Sequence, residues 1–166
     1  MTTRTHALID SPVGPLTLVA TDGVLSGLYM TAQRHRPPEE SFGVRRDPAG
    51  SPFARAAEQL RAYFAGGLTV FDLPLDLRGT PFQQRVWTAL RAIPYGTVMT
   101  YGQLARELGS AGASRAVGLA NGRNPVGVIV PCHRVVGASG GLTGYGGGLE
   151  RKRYLLNLEV GLTSHM

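Results

Sequence analysis

Apolar and polar residues alternate around Ala7-Leu8-Ile9, and two further strand-like apolar runs follow, from Pro15 to Ala20 and from Val24 to Met30. Ser11-Pro12-Val13-Gly14 and Asp22-Gly23 fall between these runs and carry turn chemistry, so the segment predicts an antiparallel meander of three strands. Residues 31–51 then break the pattern; rich in Arg, Pro and Glu, they predict a mobile connection. Apolar positions at Phe53, Ala56, Ala57, Leu60, Tyr63 and Phe64 return at helical spacing, with Ser51 as cap, Pro52 opening the helix and Gly66-Gly67 stopping it. Leu68 to Leu77 predicts a strand and a linker that ends at Arg78-Gly79.

The second half opens on a capping box, Thr80-Pro81-Phe82-Gln83, and a helix whose buried stripe is Phe82, Val86, Leu90 and Ile93, with Trp87 assigned to the core. Pro94-Tyr95-Gly96 ends it. A second capping box, Thr100-Tyr101-Gly102-Gln103, opens a short helix closed by Gly109, and Ala113 to Asn121 predicts another. Two short helices joined by a Gly-containing turn fit a helix-turn-helix, a pattern that many ordinary helical pairs share. A strand at Val126 to Val130 and a loop from Gly137 to Gly148 follow, and a helix from Leu149 to Glu159 closes the pattern. The loop has seven glycines in twelve positions but lacks the Gly-Lys-Ser/Thr ending of a phosphate-binding loop. Its glycines suit close main-chain approach to a flat ligand. No internal repeat is present.

Composition and charge sharpen this picture. The 166 residues are 43% hydrophobic, enough to bury a core as one domain or two small ones. One cysteine excludes an intramolecular disulfide, and with no signal peptide and no apolar run long enough for a membrane span the expected location is cytoplasmic. The formal charge of +6 is unevenly placed: residues 1–79 hold eight Arg and eight Asp or Glu, whereas residues 80–166 hold nine Lys or Arg against Glu107, Glu150 and Glu159. So basic a half suits a polyanion such as nucleic acid, although solubility charge gives the same count.

Candidate chemistry centres on Cys132, in the string Val128-Ile129-Val130-Pro131-Cys132-His133-Arg134-Val135-Val136. An unperturbed thiol is only about 3% ionised at neutral pH, so a reactive cysteine needs activation. His133 and Arg134 place an imidazole and a positive charge beside it. A lone cysteine is also a common small core hydrophobe. His6, His35 and His165 are scattered and have no cysteine partners, so no metal site and no cofactor are expected.

Pro131-Cys132-His133-Arg134-Val135, preceded by Asn124-Pro125-Val126 and followed by Gly144-Tyr145-Gly146-Gly147-Gly148-Leu149, resembles the active-site signature of the O6-alkylguanine-DNA alkyltransferases. Tyr101-Gly102-Gln103-Leu104-Ala105 and Arg115-Ala116-Val117-Gly118 extend the likeness from about Thr80 to Gly161. Before Thr80 the likeness is one of length and strand order. The resemblance implies an α/β (α+β) protein: a small N-terminal sheet-plus-helix domain at 1–79, then a winged-helix, helix-turn-helix alkyltransferase domain at 80–166 that binds DNA and carries the chemistry. It implies direct repair of double-stranded DNA containing O6-alkylguanine by a single-turnover methylated-DNA–protein-cysteine S-methyltransferase, and a monomer, with room for cooperative assembly along DNA.

The resemblance also assigns roles. Cys132 takes the alkyl group irreversibly, His133 removes the thiol proton through a water, Glu159 orients His133, and Asn124 braces the turn. Together His133 and Glu159 are expected to lower the thiol pKa. The helix pair enters the minor groove, small residues at Ala116 and Gly118 permit close approach, and Arg115 enters the stack where the damaged nucleotide has rotated out. Tyr101 crowds the 3′ phosphate, and Arg134 is placed on the DNA face. The pocket is drawn from Tyr101, Val135, Tyr145 and Gly146: carbonyls of Cys132 and Val135 accept from the exocyclic amine and the Gly146 N–H donates to O6. A structural zinc found in some members is not expected, because this chain lacks the cysteines for it. Two rival classes fit less well: a non-enzymatic DNA-binding module such as a lesion-binding alkyltransferase-like protein, in which the reactive cysteine is replaced whereas Cys132 is present, and a cysteine hydrolase using Cys132 and His133, for which adjacent Cys-His is awkward geometry for a direct base.

Overall fold

The meander forms as its alternation requires. In the computed structural model, which describes residues 2–110, 112–142 and 144–164 (the last three for their backbone), β1 Arg4–Ile9 pairs antiparallel with β2 Leu16–Thr21. β2 pairs antiparallel with β3 Val24–Met30, with a bulge at Val19/Ala20. Register puts Ala7 opposite Leu18 and Leu18 opposite Leu28, so one face of the sheet is apolar and joins the main core. His6, Val19, Thr17 and Tyr29 point to the other face.

That second face explains why residues 31–51 are not the mobile connection their composition suggests. They fold into a short 3-10 turn, Glu39–Phe42, and a strand, β4 Val44–Arg45, which pairs parallel with β1 and completes the order β3-β2-β1-β4. Phe42 is the anchor: it is buried, stacks on Tyr29 at 5.5 Å between ring centroids, and lies under the Arg36 guanidinium. Arg36 in turn reaches Thr17 Oγ1 at 3.1 Å. A single phenylalanine within a polar stretch thus supplies the cover that sheet burial demands.

α1 Phe53–Phe64 turns Phe53, Ala56, Ala57, Leu60 and Tyr63 inward. Its expected cap at Ser51 is not made; the N–H groups of Phe53 and Ala54 instead donate to the Gly50 carbonyl at 2.9 and 3.0 Å. Nor is Leu68–Leu77 a strand. It crosses as an irregular segment tied to β3 by one bridge, Leu25 with Leu75, and by the Asp76 N–H on the Leu25 carbonyl at 2.8 Å.

In the second half both capping boxes are complete: Thr80 with Gln83 opens α2 Pro81–Arg91, and Thr100 with Gln103 opens α3 Tyr101–Glu107. Trp87 is core, fully buried, with Nε1 donating to the Ala120 carbonyl at 2.9 Å, which fixes α2 on α4 Ser114–Gly122. α3 ends at Gly109, whose φ of +74° favours glycine, and packs against α4 as a helical pair. A two-stranded parallel ladder joins β5 Met99–Thr100 to β6 Val135–Val136, and α5 Leu149–Ser164 extends further than the sequence reading placed it.

The two halves share one apolar cluster and are stitched by main chain as well. The Leu28 N–H donates to the Pro125 carbonyl at 2.9 Å, and the Gly127 N–H to the Leu28 carbonyl at 3.4 Å. β3 therefore runs directly alongside the segment that leads to Cys132. No helix among the described residues is long and apolar enough to cross a membrane.

Candidate active site

Cys132 is presented by a turn. Val126–Val130, expected as a strand, makes one bridge at Val126 and then coils: Val130 N–H donates to the Val126 carbonyl at 3.0 Å, and Val128 adopts a φ of +69°. β-branched residues in series imitate a strand when a turn is wholly buried, and this one is. Asn124 braces it from both ends, accepting from the Val126 N–H at 3.0 Å and donating through Nδ2 to the Val130 carbonyl at 2.8 Å. Pro131 leads into a single 3-10 turn, Cys132–Arg134, whose three side chains are all buried.

Below the cysteine lies an ionic cluster. His133 Nε2 is 2.7 Å from Glu159 Oε2, and both residues are 0% exposed. Burial pushes the Glu159 carboxyl up, but hydrogen bonds from His133, Arg134 and Tyr63 more than offset this and hold it at about 2. Glu159 is thus an anion at neutral pH, and His133 Nε2 must be the donor in their bond. Burial lowers the His133 pKa despite the pull of Glu159, so the ring is neutral and Nδ1 keeps its lone pair. Nδ1 is buried and has no hydrogen-bond partner among the described residues. A neutral imidazole held in one tautomer by a carboxylate can accept a proton at its free nitrogen.

The thiol itself is pushed up by burial, not lowered as expected from His133 and Glu159. The opposing influences are a hydrogen bond from Asn124 and the charge of Lys152. Lys152 escaped the sequence reading. It is 0% exposed, its Nζ donates to the Val135 carbonyl at 2.6 Å, and burial lowers its pKa. Its position was informative, because Lys152, Leu155, Leu156 and Glu159 fall on one stripe of α5, and a cation at both a buried and a helical register should count as internal.

A small pocket opens over Cys132, walled by Tyr145, Gly146, Gly147, Asn121 and Gln33. At Gly147 an added Cβ would come within 2.6 Å of Met30 Sδ and 2.8 Å of Tyr145 Cε2, so these side chains would have to shift. The Gly146 carbonyl accepts from the Arg34 N–H at 2.7 Å, so the 31–51 segment helps close the site. Val135 is buried, with its carbonyl already taken by Lys152. Tyr101 stands at the rim, its hydroxyl 3.4 Å from the Gly144 carbonyl. Asn121, also missed, donates to the Cys132 carbonyl at 3.4 Å from the last turn of α4.

α4 thereby connects two regions. Asn121 near its end lines the pocket, while Arg115 and Ala116 in its first turn are exposed, about 9 Å and 7.5 Å away along the axis at 1.5 Å per residue. Gly118 faces the Tyr101 ring, where an added Cβ would sit at 3.8 Å. Arg134, by contrast, is not on the DNA face. It is 6% exposed, donates from Nε and Nη2 to Glu159 at 2.8 and 3.0 Å and from Nη1 to the Ile93 carbonyl at 2.7 Å, and so turns its charge inward. Among the described residues no three His, Cys, Asp or Glu side chains gather as a metal site; His165 lies outside those residues.

Comparison with known proteins accounts for nearly all of the chain. Residues 5–77 match the 6-O-methylguanine DNA methyltransferase ribonuclease-like domain, and residues 81–161 match the DNA binding domain of the same family. The methylated-DNA–protein-cysteine methyltransferase of Mycobacterium tuberculosis (strain ATCC 25618 / H37Rv) is 58% identical over 154 residues, 93% of this chain and 91% of that protein. The methyltransferase of the same name from Methanosarcina acetivorans is 46% identical, covering 93% and 97%. A crystal structure of Mycobacterium tuberculosis OGT in complex with DNA superposes with a TM-score of 0.87 at 54% identity, over 95% of this chain and 94% of that one.

Proposed function

The chain belongs to the 6-O-methylguanine DNA methyltransferase family and is a DNA-repair alkyltransferase, and from that premise we propose that Cys132 is the residue that takes the alkyl group. The observation that carries this reading is the buried series Cys132, His133, Glu159, in which an ionised carboxylate fixes a neutral imidazole beside a thiol in a pocket. In the proposed reaction the thiol proton passes through a water to His133 Nδ1, sulfur attacks the alkyl carbon, the S–C bond forms as the C–O6 bond breaks, and guanine leaves once its ring takes up a proton. A thioether has no easy leaving route, so each chain acts once.

The surrounding residues fit this assignment. Asn124 holds the turn that presents sulfur. Tyr145 and Gly146 form the wall of the base pocket, whereas Val135, expected to accept from the base, is buried outside its lining with its carbonyl on Lys152. Because O6 lies within the stacked duplex, the nucleotide must rotate out to reach a buried thiol. In this reading Arg115, exposed at the start of the helix that ends at the pocket, fills the gap it leaves, with Ala116, Gly118 and Tyr101 against the backbone. Residues 1–79 are the structural half and 80–166 the DNA-binding and catalytic half. In this reading the protein works as a monomer in the cytoplasm, with room for cooperative assembly along DNA.

Intact mass spectrometry tests the reading. After incubation with O6-methylguanine duplex the protein should gain about 14 Da, one methylene equivalent, confined to Cys132 and limited to one per chain. Several turnovers per chain, or label on another residue, would overturn it.

A further inference from the structure

Tyr63 belongs to α1 in the first half of the chain, yet its hydroxyl ends on the carboxylate that serves the cysteine in the second. It is fully buried and donates to Glu159 Oε2 at 2.6 Å across 96 positions of sequence. The same oxygen receives His133 Nε2 at 2.7 Å and Arg134 Nη2 at 3.0 Å, while Oε1 receives Arg134 Nε at 2.8 Å and the Gly96 N–H at 3.4 Å. Phe64, Phe71 and Tyr95 pack around the ring of Tyr63, with centroids 5.2 to 6.2 Å away, so its rotation is fixed and its hydroxyl has one direction in which to point.

We propose that Tyr63 is a positioning residue for the transfer reaction: by donating to Glu159 Oε2 beside His133, it weakens that oxygen as a base and keeps the shared proton on His133 Nε2, leaving Nδ1 free to accept from the thiol. The inference rests on the assignment of His133 as the base for Cys132. A carboxylate oxygen that already accepts a phenol and a guanidinium has less affinity for a proton, so it orients the imidazole without taking its hydrogen. It also binds an imidazolium less tightly than a bare carboxylate would, and His133 therefore remains neutral at working pH. Burial and the neighbouring Glu159 charge both raise the Tyr63 pKa, so the phenol stays a donor throughout. Among the described residues, the other charged or titratable groups facing this cluster include Arg134 and Cys132 on the 3-10 turn, Lys152 on α5 and Tyr95 after α2. Arg134 and Lys152 act on His133 in the same direction as Tyr63, each disfavouring the imidazolium.

The test measures alkylation of Cys132 against pH with a free O6-alkylated guanine base, so that DNA binding does not enter. Tyr63→Phe keeps the ring and removes the donor. Glu159 then holds the imidazolium more tightly and the acid limb of the rate profile moves to higher pH, with a loss of roughly five- to tenfold near pH 6 that shrinks to about twofold or less above pH 8. A fluorinated tyrosine incorporated at position 63, a stronger donor of unchanged shape, moves the limb the other way and covers the case in which Tyr63→Phe folds poorly. Profiles that superpose, or a loss equal at every pH in both variants, overturn the proposal. Failure of the unsubstituted protein to acquire the label on Cys132 would instead overturn the assignment on which it rests.

Discussion

Arg134 and Glu159 meet through two hydrogen bonds, Nε on Oε1 at 2.8 Å and Nη2 on Oε2 at 3.0 Å, with both side chains out of solvent. Removing one partner of such a pair strands the other as a buried charge, at a cost of roughly 3–5 kcal/mol. Arg134→Met should therefore shift the urea unfolding midpoint strongly downward. An arginine on the DNA surface would behave differently, with little change in stability and a salt dependence of binding shallower by about one counterion. Urea titration and a salt series on the same variant distinguish the two.

Glu159 makes stability depend on acid. Its folded pKa, at about 2, lies below that of an unfolded glutamate, so its contribution is present above the unfolded value and is lost as pH falls through the folded one. The window runs from about pH 4.5 to about pH 2, and the sum is on the order of 3 kcal/mol. Glu159→Gln should be less stable at neutral pH, with a flatter acid limb in a plot of unfolding free energy against pH. A limb as steep as the parent's would place the acid sensitivity elsewhere.

For His133 the expectation concerns rate. Burial raises the thiol and keeps the imidazole neutral, so near pH 7 the reaction needs the ring to remove the proton. His133→Ala should slow alkylation by roughly 10²- to 10⁴-fold at pH 7 and by less as hydroxide takes over at high pH. A deficit constant with pH would mean that His133 acts only as packing.

Arg115 separates DNA handling from chemistry. It is exposed at the start of α4, away from the pocket residues, so Arg115→Ala should barely alter reaction with a free alkylated base. On duplex substrate the loss is the unstacking contribution, roughly ten- to several-hundred-fold in rate. Equal losses on both substrates would remove Arg115 from the role of filling the stack. Cys132→Ser, the reference variant, should abolish both reactions and leave salt-dependent DNA binding in place.

What could be read from sequence divides by the range of the interactions involved. The capping boxes at Thr80 and Thr100 and the meander were legible because their partners lie within a few residues. The active-site string was legible through its resemblance to a family. Arg134 was misplaced because an arginine beside a candidate nucleophile reads as surface charge until a buried glutamate twenty-five residues later claims it. Tyr63 was absorbed into the apolar stripe of its helix, since nothing local shows that a hydroxyl has a partner 96 positions away. Phe42 was lost in polar surroundings, and with it the fact that the 31–51 segment reaches the pocket through Arg34 and Gly146.

The main-chain bonds between Leu28 and the Pro125–Gly127 segment have a consequence for dividing the chain. β3 is the outer strand of its sheet, and those bonds occupy part of the ladder that a free edge would offer to another molecule. Cutting between residues 79 and 80 would uncover the Leu28–Met30 end of this strand, whose Leu28 and Met30 are buried in the intact protein and which holds no proline to interrupt pairing, while its Leu25 end stays tied to Leu75 and Asp76. The first fragment would then carry a template for edge-to-edge aggregation, and the second would lose the strand that backs its reactive turn. The second half thus keeps the first from self-association and the first backs the second, so the molecule is expressed best as one piece.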